Sequence, residues 1–294
     1  MPDTLTRLGN SLIQHGPSSD RIYALELAVS DMPEILDELD EMATSQGYGK
    51  IIAKGRRTHF EEFVTRGYLP EAVVPSFFGP EEDGVFMGKF LEANRMREGE
   101  PDRVQEVLDV ARREGSASGP EGPGRTPSKE EADGEEEVPG ITIREASPKD
   151  LEALAACYGA VFESYPFPIQ DPSHLRHEQE EGTRFFTAWE EGALVAASSM
   201  EPGGAPGTVE MTDFATLPSQ RGRGLATRLL AIMDEAAEEI GERVAYTIAR
   251  AVSFGMNIAF ARRSYRFGGT LVNNTQIGGS VESMNIWYKL LDKE

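Results

Sequence analysis

The chain has 294 residues, of which 39% are hydrophobic, and its 50 acidic and 29 basic side chains give a formal net charge of −21. This length and composition suit two folded domains rather than a disordered or fibrous chain. The acidic excess argues against a general nucleic-acid binder, because phosphate binding needs a basic surface.

No apolar run approaches the roughly 18 residues of a membrane helix, and the N-terminus lacks the order of a signal peptide. We therefore expect a soluble cytoplasmic protein without a membrane partner. The single cysteine, Cys157, excludes an internal disulfide framework. Its place in the helical pattern LEALAACYGAVF indicates a small core residue rather than a nucleophile.

The N-terminal region, residues 1–114, is predicted to form an α/β domain. RIYALELAV and KIIAK have strand patterns, and the helical patterns MPEILDELDEMA and RTHFEEFVTR follow them. Two further strands, EAVVPSFF and GVFMGKFL, precede a polar helix near Arg103. The predicted order is β-α-β-α-β-β.

Residues 115–139 are predicted to be a flexible interdomain linker. Of these 25 residues, 12 are Gly, Pro or Ser and seven are acidic, a composition that buries too little apolar area to order itself.

The C-terminal region, residues 140–294, is predicted to be an α/β domain with a mixed sheet and the order β-α-α-β-β-β-α-β-α-β-β. The N-terminal order repeats the second half of this series. We infer, as a hypothesis, that the N-terminal domain is a degenerate half-copy of the same fold. The alternative is a chance similarity between common α/β patterns.

The segment QRGRGLA, with Arg221, Gly222, Arg223, Gly224, Leu225 and Ala226, indicates an anion site. It follows a strand pattern and opens an amphipathic helix, whose first N–H groups and dipole attract phosphate, and glycines let a phosphate approach the backbone. It is neither a Walker loop nor a dinucleotide loop of the GxGxxG type. The N-terminal domain has AVSDMPEI at the matching place, without a glycine loop, and should bind no phosphate.

The pattern Arg-x-x-Gly-x-Ala after a strand, in this order of elements, resembles the acetyl-CoA motif of the GNAT superfamily of N-acetyltransferases. The resemblance implies a GNAT fold for the C-terminal domain and acetyl-CoA as co-substrate, with no metal. It places the cofactor pyrophosphate on the amides of residues 221–226. By the same resemblance, Phe214, Ala215 and Thr216 before the loop and Asn257 in a later helix are candidates for contacting acetyl-CoA.

The runs YPFPI, EMTDFATLP, AYTIARA and GGTLVNNTQIGGSVESMN, with GYLPEAVVPSFF in the N-terminal region, look like the β-lysine N-acetyltransferase family. This resemblance implies transfer of acetyl to the N6 amine of β-lysine, the product of lysine 2,3-aminomutase, which is therefore an implied functional partner. The acetylated product is a neutral osmolyte. A salt-adapted host would agree with this product and with the acidic surface.

Two carboxylates on the strand before the loop, Glu210 and Asp213, are candidates for the catalytic base. An amine with an ordinary pKa near 10.4 is almost wholly protonated at neutral pH, so attack on a thioester needs a base. Three positions on an alternating strand put the two side chains on opposite faces unless a bulge intervenes. We favour Glu210.

The general acid is harder to place, because Ala261 stands where the superfamily pattern has a tyrosine. Tyr265, Tyr246 or a water molecule is an alternative proton donor, and the thiolate leaving unaided is another.

Substrate anchors are expected among the polar side chains of the late hairpin, which include Asn273, Asn274, Glu282 and Asn285. Simple turn chemistry is the alternative explanation. Tyr165 is a candidate for the wall of the substrate channel, and a rigid corner of the chain is the alternative. His174 and His177 lack the acidic or cysteine partners of a metal site, so we expect no metal.

Three functions are compatible with these observations. The first is a β-lysine N6-acetyltransferase, and the second is an acetyltransferase for another small amine such as lysine or a polyamine. The third is a non-catalytic acetyl-CoA-binding regulator. The N-terminal domain is expected to dock on the C-terminal domain of its own chain or of a neighbouring chain in a homodimer, without touching acetyl-CoA.

Overall fold

The computed structural model describes residues 3–117, 140–163, 165, 167–277 and 279–291. The strands are β1 Thr4–Leu8, β2 Ser11–Gly16, β3 Arg21–Glu26, β4 Lys50–Arg56, β5 Leu69–Gly79, β6 Glu82–Phe90, β7 Ile141–Glu145, β8 Arg184–Glu190, β9 Ala193–Pro202, β10 Thr208–Thr216, β11 Val244–Arg250, β12 Arg266–Ile277 and β13 Ser280–Leu290. The helices are α1 Ile35–Gln46, α2 Phe60–Thr65, α3 Pro101–Ala117, α4 Leu151–Val161, α5 Pro172–Glu180, α6 Leu225–Glu239 and α7 Phe254–Arg262.

All of these strands belong to one sheet, in the order β1-β2-β3-β4-β6-β5-β12-β13-β11-β10-β9-β8-β7. We call β1–β6 with α1–α3 the N-terminal half, and β7–β13 with α4–α7 the C-terminal half. The halves join where β5 pairs antiparallel with β12, at Ala72 and Gly269. Their connectivity repeats: β3 pairs parallel with β4, as β10 does with β11, and an antiparallel hairpin follows each pair. This repetition is what the half-copy hypothesis expects.

The predicted order of elements in the C-terminal region is found in the structure, as is the order β-α-β-α-β-β from β3 to β6. The hairpin β1–β2 was not predicted, although the dipeptide Gly9-Asn10 is a hairpin signal and Gly9 has a φ of 56°. Helix α3 continues to Ala117, so residues 115–117 of the predicted linker are helical. Residues 118–139 lie outside the described part of the chain.

A shared hydrophobic core holds the halves against each other. Its largest members include Tyr23 and Phe86 of the N-terminal half and Tyr246, Met284 and Ile286 of the C-terminal half. The two halves therefore bury a shared set of apolar side chains between them, in addition to a core within each half.

Helix α3 links the halves a second time by packing on α7 of the C-terminal half. Val104 and Leu108 of α3 join the core that surrounds α6. A Cβ at Gly115 would lie 2.8 Å from the carbonyl oxygen of Ala261 and 3.1 Å from its Cβ, so α3 and α7 are in close contact. This contact gives a packing reason for a small residue at position 261.

Among the described residues, no helix is both long enough and apolar enough to cross a membrane.

Candidate active site

The loop between β10 and α6 has the backbone of an anion cradle. Gly222 and Gly224 have φ angles of 81° and 71°, a region that glycine adopts without steric cost. A Cβ at either position would meet no described atom within 4 Å, so the space in front of the loop is open. Gly224 is the N-cap of α6 and forms no side-chain cap, which leaves the first N–H groups of the helix available to a phosphate.

The remaining side chains of the loop are engaged to different degrees. Arg223 forms an ion pair of 2.9 Å with Glu190 and also contacts Gln220. Arg221 is exposed, and its Nε lies 3.4 Å from the carbonyl oxygen of Thr216. Leu225 is buried in the core beneath α6, while Ala226 is half-buried. Arg221 is therefore the arginine that is more available to a bound anion.

Strands β10 and β11 separate just before this loop. Their parallel ladder contains only Thr208–Val244, Val209–Ala245 and Glu210–Tyr246, although both strands continue beyond it. From Met211 to Thr216, one edge of β10 thus has no ladder partner in β11. An extended ligand with amide groups can pair with such an edge.

The three predicted residues on this free stretch differ in burial. Ala215 is buried, Phe214 packs edge-to-face on Phe260, and Thr216 is half-buried at the end of the strand. They are positioned to offer their backbone, rather than their side chains, to a ligand between the strands.

A bulge in β10 brings both predicted carboxylates to one cavity. The pairing of β10 with β9 shifts between Thr212 and Ala215, and Asp213 has a φ of 51°. The bulge breaks the alternation of side chains. Glu210 and Asp213 consequently line the same space, whereas regular alternation would have separated them.

This central cavity has a volume of about 530 Å³ and lies between the two halves, at the point where β10 and β11 separate. The N-terminal half contributes Leu5, Leu12, Gln14, Arg21, Tyr23, Leu25, Glu26 and Lys54. The C-terminal half contributes Tyr165, Phe167, Ile169, His174, Leu175, His177, Glu178, Glu181, Thr183, Phe185, Glu201, Pro202, Gly204, Glu210, Thr212, Asp213, Ile248, Asn274, Thr275, Ile277 and Met284. Its size is that of a small-molecule site.

Comparison with known proteins decides the family. Residues 151–265 match the model of the acetyltransferase (GNAT) family. The β-lysine N(6)-acetyltransferase of Methanococcus maripaludis is 34% identical over 98% of this chain and 99% of its own length. The chain belongs to the β-lysine N(6)-acetyltransferase family. A second relative of the same name, from Methanosarcina mazei, is 27% identical over 88% of this chain and 97% of its own. The N-acetyltransferase YodP of Bacillus subtilis is 35% identical over 52% of this chain and 56% of its own.

The enzyme is an acetyl-CoA-dependent N-acetyltransferase, and the loop fits its co-substrate. The open space at Gly222 and Gly224 and the uncapped N-terminus of α6 suit a pyrophosphate. The free edge of β10 suits the amides of an extended pantetheine chain. Acetyl-CoA supplies an acetyl group activated as a thioester.

Glu210 is bonded by one group and influenced by a second from another strand. The Tyr246 hydroxyl donates a hydrogen bond of 2.7 Å to Glu210 Oε2, and Lys54 Nζ lies 3.3 Å from that hydroxyl. Burial raises the pKa of Glu210, while the charge of Lys54 and the hydrogen bond from Tyr246 oppose the rise. Burial lowers the pKa of Lys54 itself. Lys54 belongs to the N-terminal half and was not predicted, because a lysine in the strand pattern KIIAK carries no functional signal.

Asp213 and Glu201 form a second acidic group in the same cavity. Tyr165 donates to Asp213 Oδ1 at 2.5 Å, and Ser199 Oγ lies 2.7 Å from Asp213 Oδ2 and 3.3 Å from Glu201 Oε1. Burial raises the pKa of Asp213, and burial together with the charges of Asp213 and Glu210 raises the pKa of Glu201 well above its usual range. Tyr165 lines the cavity, and its place in a substrate channel stays a prediction. Glu201 was missed because it precedes the turn EPGGAPG, where a solvated glutamate is ordinary.

The structure does not bring Tyr265 to the cavity, which corrects its assignment as a catalytic candidate. Its hydroxyl donates a hydrogen bond of 2.8 Å to Asp234 inside the core, where its ring packs on Phe260. Tyr265 is absent from the residues that line the cavity. The tyrosine has a structural role under α6.

Asn257 is likewise a structural residue, which corrects its assignment to acetyl-CoA. It is fully buried, and its Nδ2 donates to the carbonyl oxygens of Arg250 and Ser253. Its Oδ1 accepts hydrogen bonds of 2.8 Å from Asn285 Nδ2 and Trp287 Nε1. The side chain has no group left for a cofactor.

Three of the four predicted hairpin residues bind other parts of the protein instead of lining the cavity. Asn273 donates to the carbonyl oxygens of Arg95 and Arg97 in the N-terminal half. Glu282 forms an ion pair of 2.6 Å with Arg250. Asn285 belongs to the buried network around Asn257, and it accepts a hydrogen bond from Thr270. Only the fourth, Asn274, lines the cavity.

Within the described part of the chain, no group of three or more His, Cys, Asp or Glu side chains is arranged to hold a metal ion. His174 and His177 line the cavity as separate imidazoles on α5.

Proposed function

We propose that the enzyme transfers the acetyl group of acetyl-CoA to the N6 amine of β-lysine, so that the new amide bond replaces the C–S bond of the thioester and the products are N6-acetyl-β-lysine and free CoA. The relatives from Methanococcus maripaludis and Methanosarcina mazei carry this activity in their names, and each match spans both halves of the chain. The observation that carries the proposal is the central cavity. It begins where β10 and β11 separate and is lined by Glu201, Glu210 and Asp213. Clustered carboxylates attract an ammonium group to the place where the thioester is expected.

Glu210 is proposed as the base. A lysine-type ammonium has an ordinary pKa near 10.4, so it has to lose a proton before it attacks the thioester. The buried carboxylate of Glu210 accepts that proton directly or through water, and its raised pKa makes it a better acceptor than an exposed glutamate. Tyr246 fixes the orientation of the carboxylate through its hydrogen bond.

The acetyl-CoA site is proposed to consist of the loop and the free edge of β10. Backbone groups of Arg221, Gly222, Arg223, Gly224, Leu225 and Ala226 would hold the pyrophosphate, and those of Phe214, Ala215 and Thr216 would face the pantetheine. The supporting observations are the positive φ angles of the two glycines, the open space before them and the short ladder between β10 and β11.

A wider role belongs to the same proposal. The product would be a neutral compatible solute in the cytoplasm, and lysine 2,3-aminomutase would supply the substrate. These points rest on the family resemblance and on the acidic composition, with its net charge of −21. A homodimer is a further part of the proposal that calibrated size-exclusion chromatography would test.

Mass spectrometry of the products tests the proposed function. The full-length enzyme would be incubated with acetyl-CoA and, separately, with β-lysine, lysine, 1,5-diaminopentane and spermidine. We expect a mass increase of one acetyl group on β-lysine, at the N6 position by fragmentation, and the highest kcat/KM for that substrate. A preference for another amine would show that β-lysine is not the substrate. Acetyl-CoA binding without turnover of any amine would favour a non-catalytic acetyl-CoA-binding regulator.

A further inference from the structure

Four buried polar atoms that have no hydrogen-bond partner in the described structure belong to residues lining the central cavity. They are Gln14 Nε2, Arg21 Nε, Tyr23 Oη and Asn274 Oδ1. Each parent residue is at most 5% exposed. Buried polar groups are nearly always hydrogen-bonded, so four unsatisfied atoms around one cavity point to a missing partner.

The strands explain why these side chains meet. Arg21 and Tyr23 are two positions apart on β3 and so share one face of the sheet. Arg21 also donates to the carbonyl oxygen of Asn274 at 2.7 Å and to Thr275 Oγ1 at 2.9 Å. Its second terminal nitrogen lies 3.4 Å from Gln14 Oε1. The guanidinium is therefore fixed in place, with its Nε still unused.

Arg21 is a buried cation without a contacting counter-ion, and the charge of Asp3 acts on it from beyond ion-pair distance. It is 3% exposed and forms no ion pair within 4.0 Å among the described residues. Two other buried cations at the same junction are paired: Lys50 with Glu71 at 2.8 Å and Arg95 with Asp20 at 3.0 Å. Lys54, also buried, forms hydrogen bonds with Tyr246 and the carbonyl oxygen of Gly203. A buried charge without a partner is unfavourable, so the site favours an anionic ligand.

We propose that Arg21, Gln14, Tyr23 and Asn274 form a subsite for the amino-acid head of the acceptor substrate. Arg21, Gln14 and Tyr23 would donate hydrogen bonds to its carboxylate, and Asn274 Oδ1 would accept one from its ammonium group. This subsite rests on the proposed function and deepens it. The N-terminal half then binds the amino-acid head of the substrate, while the C-terminal half acetylates the amine at the other end of the molecule.

The charges of the cavity give this subsite a consequence for orientation. The guanidinium of Arg21 attracts a carboxylate, whereas Glu210 and Asp213 attract an ammonium group. An amino acid with a terminal amine satisfies both demands in only one direction. Polyamines, which have no carboxylate, would leave Arg21 unpaired and should be poor substrates.

Steady-state kinetics with β-lysine and its carboxamide tests the subsite, because the two substrates differ only in the carboxylate. We expect the wild-type enzyme to prefer the acid. Arg21→Met should lower the acid-to-amide ratio of kcat/KM by about 30-fold or more, since a buried charged contact is lost. The KM for acetyl-CoA should not change. Arg95→Met is the matched control, because Arg95 is buried at the same junction but does not line the cavity.

Tyr23→Phe keeps the inference testable if Arg21→Met does not fold. It removes one unpartnered hydroxyl without changing the packing, and we expect a KM for β-lysine raised by about 5- to 10-fold, as for a lost hydrogen bond. Tyr68→Phe is its control, because the Tyr68 hydroxyl is equally buried and unpartnered but lies outside the cavity. Equal effects of the two substitutions on the KM would overturn the subsite.

The outcomes separate the subsite from the proposed function. If the wild-type enzyme acetylates lysine instead of β-lysine, the proposed function is wrong. The acid-to-amide ratio measured with lysine and lysinamide then still tests Arg21. If Arg21→Met folds and lowers the rates with acid and amide equally, the subsite is wrong while the acetyltransferase activity stands. If only polyamines are acetylated, both are wrong.

Discussion

Glu210 and Tyr246 form the last pair of the ladder between β10 and β11, and there the Tyr246 hydroxyl donates a 2.7 Å hydrogen bond to Glu210 Oε2. The proposed base is therefore fixed at the position where the two strands begin to separate. Lys54 of the N-terminal half lies beside the same hydroxyl, so both halves influence one carboxylate.

Glu210→Gln should lower the rate at neutral pH by on the order of 10²-fold, because general-base catalysis is lost. The residual rate should rise about tenfold per pH unit below pH 10, as the free amine becomes abundant. Rate measurements between pH 6 and pH 10 check this. Asp213 would be the base instead if Glu210→Gln left the pH–rate profile unchanged and Asp213→Asn produced the defect.

Tyr246→Phe should move the acidic limb of the pH–rate profile to higher pH. The hydrogen bond from Tyr246 lowers the pKa of Glu210, so removing it raises that pKa, and a higher pH is needed to keep the base ionised. Lys54→Met should shift the limb in the same direction, because the charge of Lys54 also lowers the pKa of Glu210.

Tyr265→Phe is the control for this shift, since it removes another buried hydrogen bond from a tyrosine to a carboxylate, that of Asp234, away from the cavity. We expect it to lower stability and to leave the acidic limb where it was. A shift of the acidic limb of the pH–rate profile in Tyr265→Phe would show that this tyrosine takes part in catalysis.

Gly224→Ala should weaken acetyl-CoA binding by at least tenfold, measured by calorimetry. The added methyl group would enter the open space before the loop, where the proposed pyrophosphate approaches the backbone. Gly241→Ala is a matched control, because Gly241 also has a positive φ, 81°, and open space around it, but follows the far end of α6. Both variants carry a similar backbone strain. A larger loss of acetyl-CoA affinity in Gly224→Ala than in Gly241→Ala would therefore show that the loop itself binds acetyl-CoA.

The sequence predicted the elements well because its signals are local. Apolar periodicity and turn residues located the strands and helices from Arg21 onwards, and QRGRGLA located the open N-terminus of α6. Much of the cavity was not predictable in this way. Arg21 and Asn274 are 253 positions apart and meet only because β5 pairs with β12 and the halves face each other.

The late hairpin shows that local sequence also gives false candidates for substrate binding. Asn273, Glu282 and Asn285 were polar candidates for substrate binding, but each is held by a partner elsewhere in the chain. The bulge at Asp213, which puts two carboxylates in one cavity, has no sequence signal beyond a residue that tolerates positive φ.

Glu201→Gln should stabilise the enzyme, and more so as the pH rises. The folded state raises the pKa of Glu201, so the folded protein holds a proton there that the unfolded chain releases near pH 4.3. Stability is thus present below that pH and is lost as the pH rises toward the folded pKa. The difference in melting temperature between variant and wild type should be small at pH 4 and larger at pH 8. A constant difference would show that Glu201 does not carry a raised pKa.

The C-terminal half alone, beginning at Gly140, should not form a stable enzyme. The shared core contains five buried side chains of this half, namely Val244, Tyr246, Leu271, Met284 and Ile286. Burial of each contributes about 2 kcal/mol, so exposing them together removes a free energy comparable with the usual net stability of about 5–15 kcal/mol. Thermal melting and size-exclusion chromatography would show an aggregated or non-cooperative chain. A soluble, fully active C-terminal half would mean that the N-terminal half is an independent module.

Gly269→Ala in the full-length chain tests the same junction more gently. A Cβ at this position would collide with the carbonyl oxygen of Glu71 on β5, and the φ of 147° already disfavours a side chain. The substitution should therefore push β5 and β12 apart, lower the melting temperature and raise the KM for the amine, because Arg21 and Tyr23 would move away from Glu210. The Kd for acetyl-CoA should stay the same, since the loop at Gly224 belongs entirely to the C-terminal half. Equal losses of amine and acetyl-CoA binding would instead indicate general unfolding, and an unchanged KM for the amine would separate the junction from the substrate site.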